Sequence, residues 1–225
     1  MRRATLMLAA LGLVFAGVEN ARAGSITVLN PGFESLVLAG PGGPGNYAFG
    51  NIPSWNVTGQ TATFKPGPTE FPGGVPEGVN VAAVGNGSGI SAISQTLAAT
   101  LQANMTYTLT VDVGQRLDFP LNGYTIQLMA GAVTLASDSS LAPAPGTFLS
   151  DTISYISGSS PAQLGQNLTI QLSAPASGQV DFDAVTLDAS PAATPEPATI
   201  TLLGIGIVGM AGYGWGRRKA AAPVY

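Results

Sequence analysis

The chain has 225 residues, a formal net charge of −4, and neither histidine nor cysteine. It therefore has no disulfides, no Ser-His-Asp or Cys-His triad, and none of the usual histidine- or cysteine-based zinc and iron sites. Between residues 24 and 193 only Lys65 and Arg116 are basic against ten acids, a balance of −8 that repels phosphate backbones and argues against nucleic acid as a partner.

Processing segments come first in chain order. Arg2 and Arg3 precede an uncharged apolar run over 4–18, and Ala21-Arg22-Ala23 supplies a small-x-small site. This is the pattern of a signal peptide over 1–23, cut by signal peptidase between Ala23 and Gly24. After it, helix periodicity is nearly absent and period-two alternation dominates. Strands are expected over 26–29, 62–64, 79–83, 90–97, 107–113, 124–128, 132–137, 148–156, 168–172 and 179–188. Tyr107, Leu109, Val111 and Val113 alternating with Thr108, Thr110 and Asp112 set the type. Stretches 38–50 and 65–78 are dominated by glycine and proline, which suit central strands poorly, and are expected to be long loops. Many short strands with no helices between them argue for one antiparallel β-sandwich over 24–188.

A short linker over 189–194 leads to Pro195-Glu196-Pro197, then an uncharged stretch over 198–216, then Arg217-Arg218-Lys219. At about 1.5 Å per residue the stretch reaches roughly 28 Å as a helix, enough to span a hydrocarbon core. The basic cluster after it favours a cytoplasmic tail over 220–225, with the sandwich on the outer side of the membrane. The tripeptide, span and basic end over 195–219 resemble the PEP-CTERM sorting signal. That resemblance implies recognition of Pro195, Glu196 and Pro197 by an exosortase, transient anchoring in the inner membrane, and delivery to the cell surface or beyond.

Short signatures within the sandwich carry a second resemblance. Asn30-Pro31-Gly32-Phe33-Glu34 follows the first strand, Ile52-Pro53-Ser54-Trp55 forms an early turn, and Phe182-Asp183-Ala184-Val185-Thr186-Leu187 closes the last strand. Together with Ile93–Leu97 and Tyr107–Gly114 they resemble galactose-binding-like jelly rolls, including carbohydrate-binding modules. The resemblance implies a jelly-roll sandwich and a structural calcium between Glu34 and Asp183. The residues allow the same reading. Asp183 shares strand parity with Val185 and Leu187, so it is expected to point inward, where an unpaired carboxylate is costly and a hard cation would help. The alternative is that both acids are solvated at strand ends.

Tyr47, Phe49 and Phe71 sit in the glycine-rich loops and are candidate ligand contacts, with a packing role as the alternative. Trp55 is expected to pack beneath a loop. Two acid pairs, Glu70 with Glu77 and Asp112 with Asp118, are candidates for hydrolase carboxylates, but neither has flanking residues that would raise one pKa. The sequence thus points to a non-enzymatic exported module, with extracellular polysaccharide as its ligand or, alternatively, with a structural or adhesive role among surface proteins.

Overall fold

The computed structural model describes residues 24–192. The signal peptide with its Ala23–Gly24 cut, the sorting tripeptide and the expected membrane span lie outside them. The described residues form twelve strands and no helix: β1 (Gly24–Ile26), β2 (Tyr47–Phe49), β3 (Asn56–Thr58), β4 (Thr61–Phe64), β5 (Val81–Gly85), β6 (Ser91–Thr100), β7 (Met105–Gln115), β8 (Thr125–Ala130), β9 (Val133–Asp138), β10 (Thr147–Ile156), β11 (Asn167–Ala174) and β12 (Gln179–Pro191). They build the expected antiparallel sandwich. One sheet has the order β10-β7-β12-β5-β4-β2, with β1 also on β12; the other has the order β3-β6-β11-β8-β9.

Alternation explains the core. Leu109, Val111 and Val113 of β7 point between the sheets, with Ala82 and Val84 of β5 and Val180 and Phe182 of β12. Ile93 and Leu97 of β6, Ile126 and Leu128 of β8, and Leu168, Ile170 and Leu172 of β11 meet them from the second sheet. Each fully buried aliphatic side chain contributes about 1.5–3 kcal/mol by leaving water. This layer therefore holds the fold without disulfide help.

Two local features depart from the simple pattern. Residues 38–50 are not wholly loop, because Tyr47–Phe49 pairs with β4 as a three-residue edge strand. The second departure is in β12. Its register against β7 slips between Asp183 and Thr186, and Ala184 takes a φ of 49°. This bulge inserts one residue and swaps the parity. Val180 and Phe182 face the core before it, and Val185 and Leu187 after it. Asp183 therefore does not share the inward face of Val185 and Leu187. It shares the outer face of the larger sheet with Asp181.

That outer face is a second, separate layer. Phe49, Ala62, Ala83, Asp181, Gly114 and Phe148 are successive cross-strand partners on β2, β4, β5, β12, β7 and β10. Glycine is required at 114: a Cβ there would run into the Phe148 ring. The loop over 65–78 covers this row, with Phe71 set against Phe148 at a ring separation of 4.5 Å. The glycine-rich segment before β2 clasps the same loop. Gly43 donates to the Lys65 carbonyl at 3.0 Å, and a Cβ on Gly42 would strike the Pro66 carbonyl. The glycines and prolines thus build a fitted cover.

Candidate active site

Beside the cover a cleft of about 200 Å³ stays open, with Tyr47, Phe49, Ala62, Ala83, Arg116, Phe119 and Gln179 among its walls. Alanines across β4 and β5 give it a low floor, and the aromatic rings give it sides. Tyr47 and Phe64 stack with centroids 4.1 Å apart, and Tyr47 and Phe49 with centroids 5.1 Å apart.

Arg116 organises the polar side. Its guanidinium makes a two-pronged pair with Asp118, at 2.9 Å from Nε and 2.7 Å from Nη2, and lies 4.0 Å from Glu70 Oε1. Nη1 donates to the Tyr47 hydroxyl and, at 3.5 Å, to Gln179 Oε1. The same guanidinium lies 5.0 Å from the centre of the Phe64 ring, within cation–π range. Held on all sides, Arg116 fixes the tilt of Tyr47 and Gln179.

Asp181 lies directly behind this wall. It is fully buried, and its Oδ1 accepts from Gln179 Nε2 at 2.8 Å. Its Oδ2 has no hydrogen-bond partner among the described residues. Burial pushes its pKa up to about 7; Gln179 and Arg116 pull it down, while Asp118 and Glu70 push it further up. Desolvation of the charged form is the dominant cause. A carboxyl group in this position is about half protonated at neutral pH and has an oxygen with nothing to bond. That is the condition for a general acid. Burial also raises the Tyr47 phenol, so it stays protonated at the wall of the cleft.

Sequence reasoning did not single out Asp181, Arg116 or Gln179. A signal was present. Asp181 and Asp183 sit two apart in a strand whose outer face would be ordinary surface unless something covered it, and Arg116 is one of two cations in the domain. Of the expected ligand aromatics, Tyr47 and Phe49 line the cleft. Phe71 does not line this cleft; it is buried at 2 % exposure as the anchor of the cover.

The two expected calcium ligands meet at one turn. Glu34 Oε1 accepts from the Val79 and Asn80 amides at 2.7 and 2.6 Å, and its Oε2 from Asn80 Nδ2 at 3.2 Å. Asp183 accepts from the amides of Glu77 and Ala184, both at 2.8 Å. Burial pushes Asp183 up to about 7, with the charges of Glu77 and Asp112 adding to the rise. The fit to a cation is partial. Glu34 is taken up by N–H donors, whereas Asp183 keeps free lone pairs and no donor reaches the Glu77 carboxylate among the described residues. Among the described residues no three acidic side chains form a metal cage.

Comparison with known proteins gives this geometry a context. Residues 24–188 match the HpiC1-like family, described as HpiC1 cyclase. The chain belongs to this family of cyclases. An apo-form cyclase from Fischerella sp. is 33% identical, with a TM-score of 0.69 over 77% of this chain and 100% of that one. A Stig cyclase from Fischerella sp. TAU, in complex with (3Z)-3-(1-methyl-2-pyrrolidinylidene)-3H-indole, is 33% identical with a TM-score of 0.68 over 76% of this chain and 100% of its own. Another cyclase from Fischerella sp. TAU, in complex with 4-(1H-indol-3-yl)butan-2-one, is 34% identical with a TM-score of 0.67 over 76% of this chain and 99% of its own. No match was found among the curated proteins.

Family membership overturns the expectation of a non-enzymatic module: cyclases are enzymes. The error has a physical source. The carboxyl groups whose surroundings raise the pKa, Asp181 and Asp183 on β12 and Asp151 on β10, lie outside both acid pairs. Residues 193–219 match the PEP-CTERM protein-sorting motif. The chain is therefore an exosortase-sorted protein, exported and anchored in the membrane during sorting.

Proposed function

We propose that the exported domain is a cyclase that closes a ring in a small indole-bearing substrate by proton donation from Asp181. The observation that carries this reading is the fully buried Asp181, its pKa raised by desolvation and its Oδ2 free, behind the wall of an aromatic cleft. The indole ligands of the related cyclases support the substrate class.

Cyclisation by this route needs only a proton that goes in and comes out. Asp181 protonates one carbon of a double bond in the substrate, and the π pair forms the new C–H bond while the neighbouring carbon becomes cationic. An electron-rich carbon of the same molecule attacks it, a carbon–carbon bond forms, and the proton then lost restores the acid. Tyr47, Phe49 and Phe119 line the cleft, where aromatic rings stabilise a nearby cation electrostatically. Gln179, which is hydrogen-bonded to Asp181, lines the cleft together with Tyr47, so the acid meets the substrate when one of these side chains swings aside. Arg116 is a positioning residue: its charge is answered by Asp118, and it holds both of these groups.

The test is turnover of an indole carrying an unsaturated side chain, alongside binding of 4-(1H-indol-3-yl)butan-2-one. Asp181→Asn should lower turnover at least a hundredfold and leave binding within about threefold, as expected when a general acid is lost. Unchanged turnover in the variant, or failure of the wild type to bind the ketone, would contradict the proposal.

The surroundings belong to the same proposal. After signal-peptidase cleavage at Ala23 and exosortase processing, the enzyme resides at the cell surface or in the extracellular matrix. Polysaccharide is then its setting, since the cleft offers faces for a flat aromatic ring and one acid. A structural calcium between the first loop and the last strand also remains a proposal. Asp183 and Glu77 are the carboxylates that would hold it, with Glu34 fixing the turn.

A further inference from the structure

Strand register fixes the end of the sandwich from which the sorting segment leaves. Pro191, the last residue of β12, pairs with Met105 at the start of β7, and Ile156 at the end of β10 pairs with Thr106. On the other sheet, Thr100 of β6 pairs with Asn167 of β11, and Gly131 of the β8–β9 turn donates to the Asn167 carbonyl at 3.1 Å. Two loops, 101–104 and 157–166, join the sheets here, and they are well fastened. The Ala192 amide donates to the Asn104 carbonyl at 2.8 Å, the Asn104 amide to the Gly158 carbonyl at 3.0 Å, and the Gly165 amide to the Leu101 carbonyl at 2.9 Å. The Ser157 hydroxyl donates to the Gln102 carbonyl at 2.7 Å.

Charge divides the domain along its strands. The stretches that form this end, 99–107, 129–135, 154–168 and 189–192, contain no acid and no base. The opposite end carries Arg116 and Asp118 just after β7, Asp138 at the end of β9 and Asp181 near the start of β12. Single exposed apolar side chains are ordinary on any surface. Here Ile156, Leu164 and Val133, at 66%, 50% and 44% exposure, stand among neutral groups alone. The sorting motif begins at residue 193, and the uncharged stretch of the sequence at 198. Seven residues beyond Pro191 reach at most about 25 Å when fully extended, so this end stays close to the membrane while the chain is anchored.

We infer that the acid-free end of the sandwich rests on the phospholipid bilayer during sorting, with Ile156, Leu164 and Val133 set among the headgroups. Lipid phosphates repel carboxylates, so on an acidic domain the end without acids is the one that can approach them. Three apolar side chains are a weak membrane contact by themselves, and the anchor makes them sufficient by holding them at high local concentration. The ten residues of β12 from Asp181 to Pro191 then hold the catalytic cleft roughly 30 Å from the lipid, where substrate arrives from water.

The test uses the full chain, purified from membranes and reconstituted without exosortase into vesicles of phosphatidylcholine and phosphatidylglycerol. The chain has no cysteine, so Ile156→Cys, Leu164→Cys and, at the opposite end, Ser88→Cys each accept one environment-sensitive fluorophore. Quenching by spin-labelled lipid should be at least about twofold stronger at positions 156 and 164 than at 88, because interfacial side chains lie within roughly 5–10 Å of the acyl boundary. In the double variant Ile156→Glu, Leu164→Glu, a label at Val133→Cys should lose most of its quenching while circular dichroism is unchanged. Equal quenching at positions 156, 164 and 88 would overturn the inference, because the domain would then have no preferred face toward the lipid. Protection of positions 156 and 164 that vanishes when each vesicle holds a single chain would also overturn it, since the face would then contact another copy. The three single-label proteins decide the question even where the double variant misfolds.

Discussion

The two sheets of the sandwich have outer faces built by the same alternation, yet one is surface and the other is a site. On the five-stranded sheet the outward residues form a plain polar ladder. Thr96 meets Thr169 at 3.1 Å, Gln171 donates to Gln127 at 3.3 Å, and Gln127 donates to Thr134 at 3.3 Å. Water reaches these groups, and nothing about their chemistry is altered. On the seven-stranded sheet the outward row includes Asp181, Asp183, Tyr47 and Phe148, and the loop over 65–78 covers part of it. Cover turns an ordinary outward carboxylate into a group that resists ionising. Chemistry here comes from the loop as much as from the strand.

Breaking that contrast at its strongest point means removing the acid. Asp181→Asn should cost at least a hundredfold in turnover while raising stability at pH 8, measured by chemical denaturation. The sign follows from linkage. Asp181 and Asp183 have folded pKa values near 7, above the unfolded carboxylate value of about 3.9. The native state therefore binds more protons than the unfolded chain between those limits. Stability should fall as pH rises from about 4 to about 7, by up to about 8 kcal/mol for the two groups together, and level off above that. A stability curve that rises through this window would contradict the burial of both acids.

Calcium sharpens the comparison next. If an ion sits beside Asp183, free calcium at a hundredfold excess over Kd should add about 2.7 kcal/mol. For a domain of this size that is a melting shift on the order of 5–10 °C, read in calcium against chelator. Asp183→Asn should remove most of the shift. Equal melting of the wild type in the two buffers would mean that the Glu77 and Ala184 amides alone satisfy Asp183.

The fit of the cover is tested by Gly114→Ala, which forces a methyl group into the Phe148 ring. It should cost about 1–3 kcal/mol, as overpacking usually does, and it should also weaken indole binding, because Phe148 supports Phe71. The smallest effect belongs to the open face. Thr96→Val should change stability by no more than about 0.5 kcal/mol and leave turnover alone. A larger effect there would mean that the polar ladder is not simply solvated.

The sandwich was legible because its core strands are long and alternate cleanly, as β7, β8 and β11 do. The site was less so. The bulge at Ala184 has no glycine to announce it, and it reverses which face Asp183 occupies. Tyr47 and Phe49 stood out as aromatics among glycines, a reading that brought them to the cleft wall. Phe71 stood out for the same reason and is the loop's buried anchor. Local composition cannot distinguish a ring that faces the sheet from one that faces water. Asp181 was hidden for a related reason: its burial depends on residues 65–78, more than 100 positions earlier in the chain. No periodicity within β12 reports a cover supplied from elsewhere.

The central claim is that Asp181 titrates near pH 7 inside the folded protein, so that about half of it still carries its proton at neutrality. It is tested most directly by following the carboxyl carbons of labelled aspartates by NMR across pH 3 to 9, in the wild type and in Asp181→Asn. The account predicts two aspartate resonances that titrate near pH 7 in the wild type, one of which is absent from the variant. If every aspartate finishes titrating below about pH 5, the range of ordinary exposed carboxyls, Asp181 is ionised at neutrality and cannot be the proton donor.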